Sequence, residues 1–191
     1  MSVPQPAQRR PLDPDAADVA AAQRDRAAFA VLYRRYLDRV YGFAYHRLGD
    51  HHDAEDATER TFLEAMRALG RYRDEGPGFR AWLFRIAHNT VSNVHRSRRR
   101  RRTLPIDDAI ERADPAPDPA GVAVRAEELR RIRDALEMLP EDRRHVILLR
   151  FGEGLSSREI GAILERSEGA VRVLLHRALR DLAKDLPRSR V

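Results

Sequence analysis

Ser156-Ser-Arg-Glu159-Ile160-Gly-Ala-Ile163-Leu164-Glu165-Arg166-Ser167-Glu-Gly169-Ala170-Val171-Arg172-Val173-Leu174-Leu175-His176-Arg177-Ala178-Leu179 is the stretch that decides the fold. Ser156 and Glu159 have capping-box spacing: the hydroxyl takes an orphan N–H while the carboxylate reaches back. Ile160, Ile163 and Leu164 follow as one packing face. Glu165-Arg166 makes a short break, and Ser167 is a good N-cap for a second helix running to about Asp185. On a wheel of roughly 100° per residue, Val171, Leu174, Leu175, Ala178, Leu179 and Leu182 fall on one side. Gly169, Ala170, Arg172, Val173, His176, Arg177 and Arg180 fall on the other. That outward face is small near its N-terminus and basic beyond it, as a major-groove helix requires. The helix N-terminus also favours a phosphate. An ordinary helical hairpin with a solvated basic face carries the same pattern, so both readings stand on this stretch alone.

Upstream, Pro140 suits the first turn of a helix ending near Phe151-Gly152. Val122 to Met138 is amphipathic, which makes the C-terminal part a four-helix unit. Before it, residues 98–121 open with the basic run Arg98 to Arg102 and turn acidic and Pro-rich from Asp107 to Pro119. Such a segment has too little apolar surface to offset its ordering entropy, and it reads as a flexible tether.

The first half repeats the helical period three times. Phe29, Leu32, Tyr33, Tyr36, Val40, Phe43 and Ala44 form one stripe. Ala54, Ala57, Thr58, Phe62, Ala65, Met66 and Leu69 form another. Phe79, Trp82, Leu83, Ile86, Ala87 and Val94 form a third, with Phe79 and Trp82 read as core. A short leading helix is expected from Pro14 to Gln23, after a Pro-rich tail over residues 1–14. On the third helix Arg85, His88, Asn89, Ser92 and Arg96 share a polar arc. Arg71-Tyr72-Arg73-Asp74-Glu75-Gly76-Pro77-Gly78 precedes it. Charge to hold a backbone, with amides and rings to hold unstacked bases, suits single-stranded DNA.

The chain has 191 residues and net charge +6, and Lys184 is the single lysine among its basic residues. Arginine offers a planar fork suited to phosphate and guanine. There is no cysteine, which excludes disulfides and thiolate metal sites. No window is apolar enough for a membrane span, and the first residues lack an apolar signal core. A cytoplasmic protein without membrane insertion is expected. His51-His52-Asp53 with Glu55 and Asp56 suggests a metal site only weakly, because the spacing is wrong and no distant ligand is evident. A polar inter-helix turn explains it, so no metal and no cofactor are expected. The sequence has no phosphate loop and no nucleophile elbow, so an enzyme is not expected.

Taken in order, five segments resemble the extracytoplasmic-function group of sigma-70-type RNA polymerase sigma factors. They are Phe29-Ala-Val-Leu-Tyr33 with Tyr36; Asp53-Ala-Glu-Asp-Ala-Thr-Glu-Arg-Thr-Phe-Leu63; Phe79-Arg-Ala-Trp-Leu-Phe-Arg-Ile-Ala-His-Asn89; Leu139-Pro140 with Arg150; and Ser156 to Leu179. The resemblance spans about residues 25 to 185. It implies that the chain binds core RNA polymerase, through the largest subunit's clamp helices and the flap, and promoter DNA. Asp53, Asp56, Glu59 and Arg60 would contact the clamp helices. The loop from Arg71 and the helix from Phe79 would open the −10 element, with Tyr72, Arg73, Arg80, Arg85, His88, Asn89, Asn93 and Arg96 on its strand. The helix-turn-helix would read the −35 element through Ser167, Gly169, Ala170, Arg172, Val173, His176, Arg177 and Arg180. The tether would lie along the RNA exit path, and family members are often restrained by an anti-sigma partner.

The sequence departs from the family pattern in four places. Asn93 stands where Asp is frequent, Glu59 where Gln is frequent, and Glu165 in place of the usual turn Gly. Val173-Leu174 replaces a common Ser-Arg pair, which bears on the −35 sequence read. The expected architecture is all-α: a disordered tail at 1–14, a first helical domain at 15–97, a tether at 98–121 and a helix-turn-helix domain at 122–187. A stand-alone helix-turn-helix regulator is the rival reading, although it leaves the acidic helix and the Arg71–Arg96 segment unexplained.

Overall fold

The computed structural model describes residues 13–74, 76–102, 131–132 and 134–185, with backbone alone over 98–102 and at 185. Helix α1 spans Ala16–Arg24, α2 Phe29–Leu48, α3 His51–Ala68 and α4 Phe79–Arg102. After the residues 131–132 and 134–138, which are helical, come α5 (Glu141–Ile147), a π-helical turn (Leu148–Gly152), α6 (Ser157–Leu164) and α7 (Glu168–Asp185). The described residues contain no strand, so the architecture is all-α. The tail to residue 12, the segment 103–130 and residues 186–191 lie outside the described residues. Helix α4 runs to Arg102, so the basic run expected to open the tether is helical.

Local chemistry sets the helix ends. Gly49 closes α2 with φ 67°, and its N–H donates to the Tyr45 carbonyl at 2.8 Å. Asp50 immediately caps α3, accepting from the Asp53 N–H at 2.8 Å. This Gly-Asp pair turns the chain back on itself and makes α2 and α3 an antiparallel pair. The start of α4 is capped from 66 residues away. Its Phe79 N–H donates to the Asp13 carboxylate at 2.6 Å, and Asp13 also accepts from the Asp15 N–H at 3.0 Å. Asp15 is buried and takes the Tyr36 hydroxyl and the Arg35 guanidinium. Gln23 donates to the carbonyls of Leu69 and Tyr72 at 2.9 and 3.0 Å. The leading segment is therefore a clasp that fixes the loop before α4.

The core of the first unit joins Leu32, Tyr36, Val40 and Phe43 of α2, Ala54, Ala57, Phe62 and Ala65 of α3, and Phe79, Leu83, Phe84, Ala87 and Val91 of α4. Phe43 and Phe84 meet edge to face, ring centres 5.6 Å apart. In the second unit Val146, Leu149, Leu155, Ile160, Ile163, Val171 and Ala178 pack together. Gly161 lets the turn after α6 close, since a Cβ there would lie 2.5 Å from the Arg166 carbonyl oxygen. Glu165, the last link before that turn, takes φ 54°, a left-handed conformation that disfavours side chains.

Three stability outcomes follow. Asp13→Ala should lower the stability of the chain by about 0.5–2 kcal/mol through loss of the α4 cap, read by thermal unfolding. Gly161→Ala should cost about 1–3 kcal/mol by overpacking against the Arg166 carbonyl. Glu165→Gly should gain about 0.5–1 kcal/mol, as relief of the left-handed strain outweighs the entropy of glycine in the unfolded chain.

Candidate nucleic-acid interface

Helix α7 is held as a presented rod. Both bonds of the capping box on α6 are made: the Ser156 N–H donates to Glu159 at 2.7 Å, and the Glu159 N–H to the Ser156 hydroxyl at 3.2 Å. Ser167 caps α7 by accepting from the Ala170 N–H at 3.2 Å. Val171 and Ala178 are buried, and Leu174, Leu175 and Leu182 pack partly against the core. This leaves Gly169, Arg172, Val173, His176, Arg177 and Arg180 exposed and Ala170 half-buried at the helix start. Arg172 pairs with Glu168 one turn earlier. Leu179, expected on the packing side, is instead 46% exposed. It lies roughly 80° from Val171 on the wheel, at the edge of the apolar stripe.

Helix α4 offers a second polar face. Arg85, Asn89, Asn93 and Arg96 are exposed, and Arg96 donates to the Asn93 side chain. His88 and Ser92 are half-buried against Arg47 of α2, whose guanidinium lies 3.1 Å from His88 Nδ1 and 3.4 Å from Ser92 Oγ. Burial, with Arg47 alongside, holds the His88 imidazole down to about 4. Arg80 reaches Glu159 at 3.1 Å. Phe79 is fully buried and Trp82 partly so, as the sequence implies. Tyr72 corrects the sequence reading of the loop. It is 8% exposed, and its ring packs on Phe79 and Trp82 at 5.9 and 5.0 Å, so it presents no stacking surface here. Aromatic burial outcompetes exposure because the loop is short and tied to Gln23. Arg73 stays exposed and donates to the Tyr72 carbonyl at 2.9 Å.

On α3, Glu59 and Arg60 are exposed and Asp53 and Asp56 half-buried, with Arg60 3.7 Å from Asp56. Asp56 and Glu59 edge a groove of about 1010 Å³ between α2 and α3, floored by Phe29, Tyr33, Phe62, Leu63 and Met66. Tyr33 and Leu63 are more than one-third exposed in it. Periodicity puts Tyr33 in the core stripe; it stands at the stripe's exposed edge, its ring 4.8 Å from that of Phe62. His51 is engaged elsewhere, its Nδ1 2.5 Å from the Tyr41 hydroxyl and its ring stacked 4.4 Å from Tyr45.

Residues 32–101 match the model of sigma-70 region 2, and residues 129–182 that of sigma-70 region 4. The chain is 35% identical over 170 residues to the ECF RNA polymerase sigma factor BldN of Streptomyces coelicolor, an alignment covering 88% of this chain and 64% of that one. It is 37% identical over 133 residues to SigD of Mycobacterium tuberculosis, covering 70% of this chain and 63% of that relative. The chain thus spans under two thirds of the length of these two. With the sigma factor CarQ of Myxococcus xanthus it shares 36% identity over 163 residues, covering 83% of this chain and 91% of the other. Two solved structures are similar at TM-score 0.68. One is CnrH in complex with the cytosolic domain of CnrY, at 29% identity, covering 90% of this chain and 96% of that one. The other is the sigma factor RpoE in complex with the anti-sigma factor NepR from Bartonella quintana, at 25% identity, covering 85% and 98%. With regions 2 and 4 in the expected order and relatives matched along most of their length, this chain belongs to the ECF group of the sigma-70 family of RNA polymerase sigma factors.

Proposed function

We propose that this chain binds core RNA polymerase and directs promoter-specific initiation, leaving catalysis to the polymerase and acting in the cytoplasm. The observation that carries the reading is the face of α7. A capped helix presents small residues at its N-terminus and Arg172, Arg177 and Arg180 beyond them, supported by a buried stripe on its other side. That face suits the −35 duplex, with Ser167, Gly169, Ala170, Val173 and His176 allowing close approach. On α4, Arg80, Arg85, His88, Asn89, Asn93 and Arg96 would hold the −10 strand, with Arg73 on the loop before it. Asp53, Asp56, Glu59 and Arg60, beside the apolar groove, would meet the clamp helices. Met138, 79% exposed, and Phe151, 63% exposed, give the second unit apolar surface of the kind a protein partner such as the flap covers. Residues 15–102 and 122–187 would work as two modules on a tether over 103–121. Each binds DNA weakly alone, and both bind together once polymerase holds them. The structural relatives in complex with CnrY and NepR support an anti-sigma partner here as well.

The test is transcription in vitro with purified chain, core enzyme and a pool of genomic promoters. Initiation at discrete promoters is expected. A protein that shifts duplex DNA but neither co-purifies with core enzyme nor starts transcription would be a stand-alone regulator. Within that assay, Arg172→Ala should change selectivity at a single −35 position by about 1–3 kcal/mol. An equal loss on every −35 sequence would make Arg172 a phosphate contact only.

A further inference from the structure

Helix α7 presents an apolar side chain in the middle of its exposed face. Val173 is 50% exposed. On a wheel of roughly 100° per residue it lies roughly 150° from the mean direction of the buried Val171 and Ala178. Arg172 and Arg177, both exposed, stand on either side of it, and Arg180 follows on nearly the same line. Gly169 lies one turn before Val173 and is exposed as well. A Cβ at Gly169 would meet nothing within 4 Å, so no contact among the described residues calls for glycine there. A glycine that weakens a helix without a packing reason is accounted for by a close approach from outside the chain.

A single exposed valine is ordinary on a protein surface. This one occupies the centre of the face proposed to enter the −35 major groove, and the arginines around it complement the phosphates and base edges of a duplex. Once those arginines engage, Val173 is pressed onto a base edge. It has no hydrogen bond to offer, and a base donor or acceptor covered by it loses water without compensation. Thymine alone carries an apolar group on its major-groove edge, the C5-methyl. We infer that Val173 reads a thymine methyl in the −35 element, with Gly169 opening the approach one turn earlier. Arg172 and Val173 then divide the work, one reading by hydrogen bonds and the other by shape. The inference rests on the −35 reading of α7 and deepens it by naming the base that this chain selects.

Reading by a methyl group has its own signature. Uracil keeps the hydrogen-bonding edge of thymine and lacks the methyl. A side chain that hydrogen-bonds the base treats the two alike, whereas one that packs on the methyl registers its removal as lost apolar burial. The loss expected is about fourfold in affinity, the worth of burying one such carbon. It falls on a single position of the element. A phosphate contact instead weakens every sequence together and changes the salt dependence.

The test uses the full chain assembled with core polymerase, on the promoter from which it initiates most strongly in the genomic pool. Each thymine of the −35 element, on either strand, is replaced in turn by 2′-deoxyuridine, and promoter affinity is measured at one fixed salt concentration. Affinity should drop about fourfold at one position. Val173→Ser removes both methyl groups of the side chain at an exposed position. It should bind the thymine promoter about fourfold more weakly than the parent does, and should bind thymine and uracil alike at that position. Its affinity for the uracil-substituted promoter should equal the parent's, an equality that a misfolded variant would not show. A −35 element with no methyl-sensitive thymine, or a sensitivity that persists at full size in Val173→Ser, would overturn the inference. If the parent still initiates at discrete promoters with core enzyme, that failure leaves the proposed function standing; if it initiates at none, the function itself has failed.

Discussion

Helix α4 has to be buried and displayed at once, and the rest of the first unit is organised around that demand. Phe79, Leu83, Phe84, Ala87 and Val91 are withdrawn from water between α2 and α3. Burying two phenylalanines and three aliphatic side chains contributes several kcal/mol at about 1.5–3 kcal/mol for each large side chain. That burial fixes the rotation of the helix about its axis. Arg85, Asn89, Asn93 and Arg96 consequently point outward as a set. The Asp13 cap and the Gln23 bonds fix where the helix begins, and so where Arg80 and the preceding loop stand.

The second unit solves the same problem on a smaller scale. Eight residues of α6 and a turn that only glycine at position 161 can close are enough to seat α7, because Val171 and Ala178 anchor its buried side. The left-handed Glu165 is the point where this sequence keeps the turn without the residue best suited to it. Strain of that kind persists where the flanking helices over-determine the turn. Both units therefore use an apolar stripe to aim a polar, arginine-bearing one.

Much of this was legible in the residues themselves. The 3.6-residue stripes on α2, α3 and α4 and the Ser156/Glu159 and Ser167 caps have short-range physical causes, and the structure reproduces them. What escaped depends on distant partners. Phe84 and Val91 fall outside the narrow stripe read on α4, yet both are fully buried because that helix packs on more than one neighbour. Tyr72 reads as a loop aromatic until Phe79 and Trp82 are seen to enclose it. Arg39 and Arg47 look like ordinary surface arginines on α2, and nothing within four residues of Arg47 tells that Glu141 reaches its buried guanidinium. The end of α4 was also placed too early, because a run of arginines carries no stop signal and the first Pro beyond it is Pro105.

As proposed, the chain is two DNA-reading modules that become one reader when mounted on polymerase. Equilibrium titration of the full-length protein with core enzyme at low salt, with no inhibitor bound, tests that claim most directly. A saturable complex is expected, with a preference for promoter over random DNA of at least about 10³, the range of specific recognition, and little preference in the chain alone. Absence of any affinity for core enzyme, or equal promoter preference with and without it, would rule out a reader assembled on polymerase.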